Sequence, residues 1–165
     1  MVIDDISFAP HSCAHGWLVA SVGGRDARSV ETDALRIQKA ALEKGYFSVC
    51  GLLEGEHGYR LFLAPSNNVL TILKVFHVGS HAGFYDPDGH ARALREVEMV
   101  HKRYPLIPYF ADSAGFKARF TAEITTDLIH FLEDGLSDVE PMMDAKNGSI
   151  ADYVKKHQGI HLWWD

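Results

Sequence analysis

Residues 116–124, FKARFTAEI, alternate apolar and polar side chains without a break. Successive side chains of a strand point to opposite faces. The pattern therefore predicts a strand with Phe116, Ala118, Phe120, Ala122 and Ile124 buried and Lys117, Arg119, Thr121 and Glu123 in water. A half-buried strand needs neighbours to pair with and a layer to cover it. The apolar runs 17–22, 46–53 and 59–64 predict such neighbours. The first ends at Gly23-Gly24, and the other two are joined by a hairpin loop, Glu54-Gly55-Glu56-His57-Gly58. The final IHLWW predicts a terminal strand.

The covering layer is predicted from helical patterns. Residues 32–44 carry Thr32 as a cap, Leu35, Ala41 and Leu42 on one face, and Gly45 as a stop. Asp86-Pro87-Asp88 opens a helix that runs to 103, with a Glu98–Lys102 pair, and Pro105 and Pro108 end it. Residues 125–135 and the stretch after Ser149 are further helices, and Ser137 with Glu140 forms a capping-box pattern. Residues 69–78, VLTILKVFHV, fit either a helical or a strand face, and their β-branched content favours strand. The expected fold is α+β: one domain over 1–165, a mainly antiparallel or mixed sheet with helices packed on one side, and 1–15 as a mobile arm.

A chain of 165 residues can fold without a disulfide or metal. No apolar run approaches the twenty residues of a membrane span. The opening MVIDDISFAP carries acids where a secretory leader carries bases, so a cytoplasmic protein with reduced Cys13 and Cys50 is expected. The formal charge is −6. That disfavours nucleic acid and suits a protein partner of basic character.

Ten histidines raise the question of a metal. His11-x-Cys13-x-His15 places its side chains too far apart along an extended segment to close on one ion. His77, His81, Asp86 and His90 lie in and beside a Gly-containing loop and are the candidate reactive residues if the protein is an enzyme. Capping explains Asp86 and Asp88 without an ion, so neither metal nor cofactor is expected. Nucleotide-binding glycine motifs and nucleophile elbows are absent from the sequence. Cys50, inside an apolar strand pattern, reads as a small hydrophobe.

His77-Val78-Gly79-Ser80 followed by Tyr109-Phe110-Ala111-Asp112 resembles the strand-borne histidine and Y-F-A motifs of ADP-ribosyltransferases. The resemblance implies that Glu123 or Glu133 stands for the catalytic acid. The leading expectation is instead a small acidic protein-binding or inhibitor protein, such as a bacterial toxin-immunity or phage-encoded inhibitor. Its expected contact residues are Glu133, Asp134, Asp138 and Glu140, joined by Trp163 and Trp164 as aromatic anchors. The alternative is a small enzyme centred on His77 to His90.

Overall fold

The computed structural model describes residues 1–12, 14–21, 24–80, 86–136 and 149–164. In chain order its elements are β1 (Val2–Ile3), β2 (Ile6–Pro10), β3 (Leu18–Ala20), α1 (Ala27–Glu43), β4 (Tyr46–Gly51), β5 (Arg60–Pro65) and α2 (Val69–Val75). There follow α3 (Pro87–Arg103), β6 (Leu106–Ala111), β7 (Gly115–Phe120), α4 (Thr126–Gly135), α5 (Ile150–His157) and β8 (Gly159–Trp163). The strands form one sheet of order β1-β2-β3-β5-β4-β6-β7-β8. All neighbours are antiparallel except β4 and β6, which makes the sheet mixed and the fold α+β.

Helices cover both faces of this sheet, not one. The central strands are apolar on both sides: Phe62 and Ala64 of β5 join one core cluster, while Leu61 and Leu63 join another. A strand buried on both faces needs a layer on each. Helix α1 covers one face with Val30, Ala34, Ile37 and Ala41. Helices α2 to α5 share the opposite cluster, to which α3 gives Ala93, Val97 and Val100.

Several predicted boundaries move for identifiable reasons. Helix α1 starts five residues before Thr32, because the Asp26 carboxylate accepts the Ser29 amide and caps it there. Thr32 bonds back to the Arg28 carbonyl inside the helix. Gly45 does follow the helix in the left-handed region, at φ 81°. Residues 69–75 are helix, not strand. Asn68 caps them, and Val69, Ile72 and Leu73 are buried at helical spacing. The segment expected as an arm contains β1 and β2, joined through Asp4 and Asp5, both with positive φ.

Strand β7 stops at Phe120, so Ala122 lies exposed beyond it. Strand β6 was hidden by Pro108. The proline sits at a register shift against β7, where a missing N–H is tolerated. Its carbonyl accepts from Gln38 Nε2 at 3.1 Å, and Gln38 also contacts Ser48, whose hydroxyl donates to the Ala34 carbonyl at 2.6 Å. This polar group ties α1 to the sheet. The shift also sends Tyr109 and Phe110, adjacent in sequence, into the same α1-side cluster.

Candidate binding groove

Helix α1 covers the centre of its sheet face, and a groove of about 520 Å³ runs between its flank and strands β6 to β8. Ala27, Glu31 and Leu35, at i, i+4 and i+8, form the helix wall. Opposite them, the β7–β8 register pairs Lys117 with His161 and Gly115 with Trp163. The period of two that buries Phe116 and Leu162 therefore turns Lys117, His161 and Trp163 toward α1. Phe110 completes the floor. Gly115 is what lets the indole lie close, since a Cβ there would sit 3.2 Å from Trp163 Cε3.

Lys117 Nζ donates to Glu31 Oε2 at 2.7 Å, and both side chains are about four-fifths buried. The ammonium also stands 4.7 Å from the centre of the Phe110 ring. Burial lowers the His161 pKa to about 4, helped by the positive charge of Lys117 and by His157. Its Nε2 is buried with no hydrogen-bond partner. Tyr153 and His157, one turn apart on α5, stack at 4.4 Å, and the Tyr153 ring is 6.5 Å from that of His161. Burial, and then the Glu31 charge, push the Tyr153 hydroxyl up to about 12. Burial also lowers His157, with Lys156 and Lys117 acting the same way. At neutral pH the charged groups lining the groove are thus Arg28, Glu31 and Lys117.

The histidine loop is only partly assembled among the described residues. His77 follows α2 with φ 50°, its ring 6.2 Å from that of His90 and its Nδ1 3.5 Å from Glu54. His90 is buried, and its Nδ1 lies 2.7 Å from the Val78 carbonyl, which makes that nitrogen the donor. Asp86 caps α3 by accepting the Asp88 amide. His81 lies outside the described residues. No three His, Cys, Asp or Glu side chains among the described residues are grouped to hold a metal ion. Cys50 is a free, buried thiol that burial pushes up to about 12, which fits its reading as a small hydrophobe.

The two tryptophans expected in one patch lie on opposite faces of the sheet. Trp164 is core, 8% exposed, with its indole donating to Glu96 at 3.2 Å. Trp163 lies on the other face of the sheet, in the groove. Alternation along β8 separates the two rings. Glu133 and Asp134 are exposed on α4, which packs in the cluster opposite α1, while Asp138 and Glu140 lie outside the described residues. The transferase-like residues are also scattered. His77 sits in a turn on the α2 side, Tyr109 packs on the α1 side, and Glu123 and Glu133 are exposed. Arg28, Glu31 and His161 carried no motif, and Phe110 entered only through the transferase-like Tyr109-Phe110-Ala111 pattern. Their signal was limited to period-two and i,i+4 placement, which becomes legible only once β7 is known to face α1.

Comparisons with protein-family models, with curated proteins and with solved structures each returned no match. No helix among the described residues is long and apolar enough to cross a membrane.

Proposed function

We propose that this protein acts by non-covalent contact, as a small acidic binding or inhibitor protein of the toxin-immunity or phage-inhibitor type, with the α1–β7–β8 groove at the centre of the contact. The observation that carries this reading is the half-buried indole of Trp163, beside Phe110, on a floor bordered by Glu31, Lys117, Thr32 and Arg28. An aromatic anchor within a polar rim is the arrangement that concentrates binding energy in protein interfaces. The net charge of −6 supports a partner of basic character, drawn in by the field of the whole chain. Nothing in this reading requires a cofactor, and a free Cys50 suits the reducing cytoplasm.

The test is capture with wild-type protein and with Trp163→Ala, then titration of the identified partner against each. Wild type should bind a basic protein, and the truncation should weaken it about 30-fold or more, as expected for an interface anchor. Equal affinities would remove the groove from the contact.

A second reading, a small enzyme, is favoured by the approach of the His77 and His90 rings beside Glu54. It predicts a catalytic activity lost in His77→Ala while binding through Trp163 is untouched.

A further inference from the structure

The charge in the groove opposes that of the chain. Within a molecule of net charge −6, the groove is lined by two cations, Arg28 and Lys117, and one anion, Glu31. The nearby carboxylate of Asp112 is already engaged. It accepts the Tyr59 hydroxyl at 2.7 Å and the amides of Ala114 and Gly115 at 3.0 and 2.7 Å. Lys117 has three donors and gives one to Glu31. His161, neutral at physiological pH, has a buried Nε2 without a partner. Arg28 is exposed along the same wall. Lys117 and Arg28 thus bring donors in excess of acceptors, bordering the apolar lining of Phe110, Trp163, Leu35 and Ala27.

A lysine or arginine brought here would face two cations and add donors to donors. A carboxylate accepts only, and it pairs well with ammonium and guanidinium groups. An aromatic neighbour on the same segment would cover the Trp163–Phe110 floor.

Taking the groove as the contact site, we propose that its occupant is an acidic side chain of the partner, flanked by an aromatic residue, whose carboxylate is received by Lys117 and Arg28. The basic character of the partner as a whole governs encounter, and this one buried carboxylate governs seating.

Three blocked dipeptides serve as probes: acetyl-Trp-Glu-amide and its Gln and Lys counterparts. Each is titrated into the full chain at pH 7, with the His161 ring and Trp163 indole signals followed by NMR. The Glu peptide should bind roughly tenfold more tightly than the Gln peptide, the worth of one charge-assisted hydrogen bond, and the Lys peptide should be weakest. Arg28→Gln, on an exposed helical position, and Lys117→Gln should each shrink the ratio of Glu-peptide to Gln-peptide affinity, measured on the same variant, to about twofold or less. Binding of the Glu peptide should also raise the pH at which His161 titrates. Equal affinities for the three peptides, with the groove signals shifting, overturn the acidic anchor and leave the groove as the contact. Unmoved Trp163 and His161 signals with every peptide overturn both.

Discussion

Lys117 and His161 face each other across the β7–β8 ladder, and at neutral pH only Lys117 carries charge. Burial disfavours a second cation there, and the neighbouring ammonium adds to the penalty. The result is a pH-dependent stability. A histidine whose pKa is lower folded than unfolded binds its proton more readily in the unfolded chain. Stability is therefore full above about 6.5 and falls as the pH drops toward the folded value of about 4. The loss across that window approaches about 3 kcal/mol. Urea titrations from pH 8 to 4.5 should show it, and His161→Gln should flatten part of the slope. His101 and His157, also lowered by burial, contribute in the same direction and leave a residual slope. An unchanged slope in His161→Gln would contradict the assignment.

The Glu31–Lys117 pair joins α1 to β7 across 86 residues of sequence. Glu31→Gln leaves a mostly buried ammonium poorly paired, and should cost about 1–2 kcal/mol. A double-mutant cycle with Lys117→Met should return a coupling of about 1 kcal/mol. Additive effects would mean that the two side chains are held apart in solution.

Phe120 is 8% exposed, while Arg119 beside it is exposed and stands 6.0 Å from the Tyr109 ring. Phe120→Ala should cost about 3 kcal/mol by leaving a cavity next to Tyr104. Arg119→Ala should cost under about 1 kcal/mol. Similar denaturation midpoints for the two variants would contradict the burial pattern.

Gly159 opens β8 where it pairs with Arg119 of β7, and a Cβ there would fall 2.1 Å from the Ala118 carbonyl oxygen. Backbone cannot yield as a flexible side chain does, so Gly159→Ala should cost about 2 kcal/mol or more and loosen β8 first. Hydrogen exchange of the β8 amides is the readout. Wild-type protection in the variant would show that the two backbones are further apart.

Local chemistry made much of the fold legible in the sequence. Asp86 and Pro87 mark the start of α3, the β4–β5 hairpin follows from its glycine loop, and the alternation of Phe116 to Phe120 gives β7 and its buried face. What escaped depends on contacts distant in sequence. Pro108 argues against a strand unless a bulge receives it, and the bulge exists only against β7. Residues 69–75 carry β-branched side chains into a helix because Ile72 and Leu73 are buried in the core there. The groove was illegible for the same reason. Lys117 reads as a solvated strand residue until Glu31, 86 residues earlier on α1, is brought to 2.7 Å. Trp163 and Trp164, by contrast, fall on opposite faces by the alternation of the IHLWW strand itself, so the sequence already argued against pairing them in one patch.

Contact through the groove and contact through the acidic face of α4 would leave different footprints. Hydrogen-exchange and side-chain footprinting of the captured complex separates them. Protection is expected at 27–35 and 159–163, with the Trp163 indole shielded and the α4 surface around Glu133 and Asp134 unchanged. Protection confined to α4, with Trp163 as accessible in the complex as in the free protein, would contradict contact through the groove.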